Sequence, residues 1–290
     1  MVNALACMGQ TIMKFAESDG VKLYVETTGD GIPIVFVHEF AGDYRNWENQ
    51  VRFFARRGFQ CITYNARGYP PSDVPDTLDQ YSQEHAVEDI ANVMRHCKVE
   101  RAHIVGLSMG GYATLNFGLA HPEMARSLVV AGAGHGSDPG TREQFLRDSG
   151  ELAERLVQLG MAEGIVHYAN SAIRRRYKEK DARGFDEFNR QFAEHSALGS
   201  SLTTRGYQMR RPTVYQLEAQ LKRMTTPTLI ITGDDDVPCL EPAMFMKRTL
   251  PDARLWVVPR TSHPINLEEP ESFNRVVLDF MTDVDRSTTS

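Results

Sequence analysis

The sequence predicts an α/β fold organised around an open, mostly parallel sheet. Three observations carry this: short apolar runs recur along the chain, segments with helical spacing separate them, and a Gly-x-Ser-x-Gly stretch joins one such run to one such helix. Runs buried on both faces and connected through helices are what a parallel sheet requires. Ligands of such sheets bind at the carboxyl ends of the strands.

Taken in order, Met13 to Glu17 and Val21 to Thr27 flank Ser18-Asp19-Gly20, and an Asp-Gly pair between alternating segments signals a tight β-hairpin. Ile34 to Val37 and Cys61 to Tyr64 follow as buried strands, with a helical segment, Trp47 to Arg57, between them. In Glu84 to Cys97 the residues Val87, Ile90, Val93, Met94 and Cys97 fall on one helical face. Ala102 to Val105 is the next strand, and Gly111 to Ala120 a helix that stops at His121-Pro122. Later strands are Ser127 to Ala131, Thr228 to Thr232 and Arg254 to Val258, and a last helix spans Pro270 to Met281.

The rhythm breaks between about Gly134 and Arg211. Here Thr141 to Leu159, Met161 to Lys178 and Phe185 to His195 read as helices with no strand among them, punctuated by Gly132-Ala133-Gly134-His135-Gly136 and Leu198-Gly199-Ser200. The expected organisation is an α/β core of residues 1–133 and 212–290 interrupted by a helical cap of residues 134–211. At the carboxyl edge of the sheet such a cap would exclude water from a site beneath it. The alternative is that these helices extend the core elsewhere.

With 290 residues, 41% of them hydrophobic, the chain can bury a full core. Its formal net charge of −6 argues against nucleic acid or an anionic membrane as partner, and no apolar run approaches the roughly 20 residues of a membrane span. Met1 to Ile12 lacks the basic lead and cleavage site of a secretion signal and reads as a loose tail. Cys7, Cys61, Cys97 and Cys239 show no paired spacing, so neither a zinc site nor a disulfide framework is indicated, and a reducing cytoplasm suits them. No cofactor is expected, a small molecule is the expected partner, and a homodimer stays open.

The reactive centre is read at Ser108, within Val105-Gly106-Leu107-Ser108-Met109-Gly110-Gly111. A sharp strand-to-helix turn crowds the backbone, so the positions two before and two after the serine must lack bulk, and they are Gly106 and Gly110. The turn lifts the hydroxyl above the sheet edge. It also aims the Met109 N–H and the start of the following helix at the space where an oxyanion could form. The motif alone is common, and a Gly-rich loop with a helix-capping serine is the alternative.

A serine hydroxyl needs a base, usually a histidine that a carboxylate orients. Of the nine histidines, His263 lies in the loop directly after the strand Arg254 to Val258, on the same sheet edge as Ser108. The strand Thr228 to Thr232 runs into Gly233-Asp234-Asp235-Asp236, where a carboxylate could reach that loop. The three aspartates could instead hold a metal, but no histidine or further acid stands at ligand spacing and no metal is expected.

With serine, aspartate and histidine each at a strand end, the chain resembles the α/β-hydrolase superfamily, in its capped branch of esterases, C–C bond hydrolases, lactonases and perhydrolases. The likeness covers nearly everything outside the cap: the hairpin start, His38 followed by Gly42, Arg67-Gly68 with Ser72, the Ser108 elbow, and the Asp and His loops. It implies a mostly parallel, eight-stranded sheet, Ser108 as nucleophile, His263 as general base then acid, Asp236 as orienting acid and the Phe40 N–H as second oxyanion donor beside Met109. Asp234 and Asp235 would be solvated neighbours. One departure matters: the family's His-Gly-x-x-Gly loop here reads His38-Glu39-Phe40-Ala41-Gly42. A carboxylate there opposes an oxyanion unless it turns away or is paired, and the sharper reading has Glu39 touching substrate. Asn65, where aspartate is common, departs less.

The expected function is hydrolysis of a small ester, thioester, lactone or activated ketone through an acyl-enzyme on Ser108. His38, Glu39, Trp47 and Tyr112 are candidate substrate contacts, although such residues pack any core. The basic run Arg174-Arg175-Arg176 could meet an anionic substrate or be a solvated face. A C–C hydrolase or lyase on the same triad, and a low-turnover small-molecule receptor, are the alternatives.

Overall fold

The eight predicted strands form one sheet. A computed structural model describes residues 14–289, so the predicted tail and Met13 lie outside the described residues. The strands are β1 Lys14–Ser18, β2 Val21–Thr28, β3 Ile32–Val37, β4 Phe59–Tyr64, β5 Ala102–Leu107, β6 Ala125–Ala131, β7 Thr228–Gly233 and β8 Ala253–Val258. Their spatial order is β1-β2-β4-β3-β5-β6-β7-β8. β2 is antiparallel to both neighbours, and β3 to β8 pair in parallel. The hairpin turns at Asp19 and Gly20, with φ of 52° and 75°, the double positive φ of a turn whose twist matches its strands.

The helices are α1 Glu48–Ala55, α2 Gln83–His96, α3 Met109–Ala120, α4 Arg142–Gly164, α5 Val166–Ala169, α6 Arg175–Lys180, α7 Ala182–Ala193, α8 Ala197–Leu202, α9 Glu218–Leu221, α10 Val237–Thr249, α11 Ile265–Glu268 and α12 Pro270–Thr289. α2, α3 and α10 bury Ile90, Leu115 and Met246 against one sheet face. α1 and α12 bury Phe54, Phe273 and Val277 against the other. Each such side chain removed from water stabilises by about 2 kcal/mol. Helices on both faces explain why the central strands read as unbroken apolar runs.

Between β6 and β7 the described chain is helical. The helix expected over Met161 to Lys178 is in fact broken. It ends at Asn170, and Ser171 is extended, with φ −66° and ψ 160°, while Gly160, between the two expected helices, kinks α4 with φ 73° and ψ −178°. A short 3-10 turn, Ala172–Arg174, then leads into α6, and a π-type turn, Thr203–Gln208, follows α8. Leu156, Phe188, Phe192 and Tyr207 of this insertion pack on Phe40, Tyr69 and Met109 of the core, which places it over the carboxyl ends of β3 and β5. Among the described residues no helix is long and apolar enough to cross a membrane.

Candidate active site

Parallel register aligns five strand ends along one edge. Val37 pairs with Gly106, Leu107 with Ala131, Ala131 with Ile231, and Gly233 with Val258. The loops that leave this edge carry His38, Ser108, Gly132, Asp236 and His263.

Ser108 has φ 55° and ψ −112°, a conformation that a residue with a Cβ holds only under constraint. The constraint is backbone packing. A Cβ on Gly106 would lie 2.2 Å from the Gly110 carbonyl oxygen, and one on Gly110 would lie 2.1 Å from that of Val37. Nothing larger than glycine fits at either position. The Ser108 N–H donates to the Ala131 carbonyl at 2.8 Å, and α3 starts at the next residue. The Met109 N–H is thus the first of the helix, where no preceding turn supplies an acceptor.

His263 and Asp236 are brought together: Nδ1 and Oδ2 are 2.7 Å apart, and both side chains are buried. Burial lowers the pKa of His263, but the charge of Asp236 and its hydrogen bond outweigh it, so the imidazolium is favoured above its ordinary range. The histidine loop is fixed from two sides. Glu268 accepts the Ser262 N–H at 3.0 Å and the Ser262 hydroxyl, and the His263 N–H donates to the Ile173 carbonyl of the insertion at 2.9 Å. Gly132 packs beside the ring: a Cβ there would lie 3.4 Å from the imidazole Cε1. Ser108 Oγ makes no hydrogen bond to His263 among the described residues.

The other two aspartates are engaged. Asp234 Oδ1 accepts the Thr261 N–H at 3.1 Å, and Asp235 pairs with Arg176. Asp236, Cys239 and His263 bring three possible metal donors within 4.8 Å of one another. Burial pushes the Cys239 thiol far up, however, and Sγ donates to the Gly132 carbonyl at 3.3 Å.

The His38–Gly42 loop is held by its own histidine. His38 Nε2 accepts the Ala66 N–H at 3.0 Å, so Nδ1 carries the proton and donates to the Glu39 carbonyl at 2.7 Å. The Gly42 N–H donates to the same carbonyl at 3.2 Å. In a trans peptide the N–H points opposite to the C=O, so the Phe40 N–H faces away from both donors. The Phe40 carbonyl accepts the Tyr69 hydroxyl at 3.0 Å, and the Met109 carbonyl accepts that of Tyr207 at 2.8 Å.

Glu39 is buried and paired. Arg174, itself 1% exposed, donates to both carboxylate oxygens, with Nη1 3.1 Å from Oε1, and its guanidinium lies over the Tyr168 and Phe188 rings. Burial raises the carboxyl pKa, but Arg174 more than offsets this and holds it below the ordinary value.

Three of the candidate substrate contacts are corrected by their surroundings. Trp47 is packed against Phe36 and Phe273 in the core under the sheet. Tyr112 is buried, hydrogen-bonded to Ser137 and covered by Arg211 at 3.7 Å. His38 spends both nitrogens on backbone. Of the basic run, Arg174 is buried on Glu39, while Arg175 and Arg176 pair with Glu179 and Arg176 also with Asp235. The sequence places Arg174 in a basic run that could meet an anionic substrate but does not mark it as the partner of Glu39, and it does not mark Tyr207 at all. Only the unusual Glu39 hinted that a cation must exist, and nothing local identified which.

A strained serine at a strand-to-helix turn, with an Asp–His pair at the same sheet edge and a helical insertion above, defines an α/β hydrolase architecture. The chain belongs to the α/β hydrolase fold family, whose model matches residues 32–270, and it is an enzyme of that family. It is 25% identical to a Bacillus subtilis protein provisionally named 2-succinyl-6-hydroxy-2,4-cyclohexadiene-1-carboxylate synthase, over 92% of this chain and 97% of the relative. It is 24% identical to the 2-hydroxy-6-oxononadienedioate/2-hydroxy-6-oxononatrienedioate hydrolase of Comamonas testosteroni, over 90% and 91%. Among solved structures it is similar to an esterase of Exiguobacterium antarcticum, with TM-score 0.81 and 25% identity, covering 93% of this chain and all (100%) of that one.

Proposed function

We propose that the protein is a serine hydrolase that cleaves a small carboxylic ester, thioester, lactone or activated ketone through an acyl-enzyme on Ser108. The observation that carries this reading is the 2.7 Å contact between His263 Nδ1 and Asp236 Oδ2. It commits Nδ1 as the protonated nitrogen and leaves Nε2 as the base for Ser108. In this reading a rotation of the serine side chain completes the relay. Ser108 Oγ attacks the carbonyl carbon and its proton passes to His263 Nε2. The N–H groups of Phe40 and Met109 hold the developing oxyanion. His263 then protonates the departing alkoxide or enolate, and takes a proton from the water that releases the acyl group.

Residues 134–211 act as the cap, and Glu39 serves as its docking point rather than as a substrate contact. A lone carboxylate beside the oxyanion would oppose catalysis. Arg174 makes it part of a neutral pair, which supports hydrolysis despite the departure from glycine. Hydrolysis of p-nitrophenyl acetate and butyrate, lost in Ser108→Ala, tests the reading.

The similarity to the Comamonas hydrolase favours a second reading, carbon–carbon cleavage on the same triad. Turnover of a vinylogous diketone without turnover of p-nitrophenyl esters distinguishes it.

A further inference from the structure

One short stretch of the insertion touches three of the loops at the sheet edge. The Ile173 carbonyl accepts the His263 N–H at 2.9 Å. Arg174 donates to Glu39, beside Phe40, and Arg176 pairs with Asp235, beside Asp236. Lys180, the last residue of α6, completes the set: its Nζ donates to Thr261 Oγ1 at 3.1 Å, to Glu268 Oε2 at 3.3 Å and to Glu269 Oε1 at 2.7 Å. Residues 173–180 therefore reach the loops of Phe40, Asp236 and His263 at once.

Lys180 reaches the histidine loop through a carboxylate already committed to it. Glu268 is buried and accepts both the N–H and the hydroxyl of Ser262, the residue before His263. Burial favours the neutral form of this carboxyl and raises its pKa, while Ser262 and Lys180 oppose that rise. A surface ion pair is worth little. Here one partner is enclosed, so removing the ammonium leaves an interior carboxylate without its counter-charge. Tyr177 and Glu269 beside it bring no positive charge in its place. Glu268 must then turn toward solvent or take up a proton, and either change weakens its hold on Ser262.

We propose that Lys180 is a positioning residue for His263: from the insertion it holds the Glu268 carboxylate against Ser262, and so keeps the imidazole where Nε2 can meet the Ser108 hydroxyl. The inference rests on the hydrolase reading above. Residues 173–180 act as a strap, and the base is aligned only while the insertion is seated on the sheet edge. Lys180 does not serve the substrate, because its three N–H donors are spent on Thr261, Glu268 and Glu269.

The test is the rate at which a fluorophosphonate labels Ser108, read beside kcat and KM for p-nitrophenyl butyrate, in the full chain and its variants. Lys180→Met should slow labelling and lower kcat by about tenfold with KM unchanged, since a misplaced base costs rate rather than binding. Lys180→Arg should restore most of both. Glu268→Gln keeps a neutral acceptor for Ser262 that needs no cation, so adding Lys180→Met to it should bring no further loss. If Lys180→Met does not fold, Lys180→Gln, which keeps a donor without the charge, carries the same expectation. A normal labelling rate in Lys180→Met, a rise in KM alone, or an equal loss in both backgrounds overturns the proposal and leaves the hydrolase reading intact. An unmodified chain that is not labelled at Ser108 overturns both.

Discussion

Arg174 and Glu39, far apart in the chain, meet in a two-pronged ion pair that ties the helical insertion to the loop after β3. Because both groups are fully buried, its value lies less in net stability than in what happens when it is broken.

Arg174→Met is therefore expected to destabilise by about 3–5 kcal/mol, since it strands a carboxylate in the interior. Glu39→Gln combined with Arg174→Met should recover most of that loss. Urea midpoints of the single and double variants check this, and a double variant no better than Arg174→Met alone contradicts it.

Asp236→Asn should leave thermal unfolding almost unchanged and lower kcat by on the order of 10⁴, because an amide favours the wrong imidazole tautomer. Steady-state kinetics beside a melting curve separate the two effects.

Activity should rise with pH as His263 gives up its proton, because only the neutral ring can take one from Ser108. Asp236 raises the His263 pKa above its ordinary value despite burial, so the acid limb of kcat/KM should lie above about 6.5. The stabilisation from this pair is full below the unfolded-state pKa and fades as pH rises through the folded one.

His38 works in the opposite sense. Burial lowers its pKa to about 4, so the unfolded chain binds a proton that the folded one refuses. Its stabilising share is complete above about 6.5 and is lost as pH falls toward 4, on the order of 3 kcal/mol. Urea unfolding at both ends of that window should reveal a loss that His38→Asn reduces.

Tyr207→Phe removes the hydroxyl that holds the Met109 carbonyl. A cost of about 1 kcal/mol in stability is expected, with a several-fold drop in kcat if the Met109 N–H is an oxyanion donor. Unchanged kcat would detach this tyrosine from the chemistry.

The sheet was legible because each central strand is buried on both faces and reads as an apolar run, and the elbow because the sharp turn at Ser108 needs glycine at both Gly106 and Gly110. α10 went unseen, since Val237 to Thr249 contains two prolines and little helical periodicity. The unexpected break in the insertion falls at Asn170 and Ser171, where no glycine or proline marks it. Trp47 and Tyr112 misled because an aromatic residue near a motif serves the core as readily as a cleft. Arg174 was visible only as part of a basic run, and which of three arginines turns inward depends on packing around Tyr168 and Phe188. Arg211 gave no signal at all.

The most direct measurement is mass mapping of the adduct formed with a fluorophosphonate. The account predicts a single phosphonylated residue, Ser108, with labelling absent in Ser108→Ala and slowed at least a hundredfold in His263→Ala, on the order of what a lost base costs. An adduct elsewhere, or a folded protein that stays unlabelled, contradicts it.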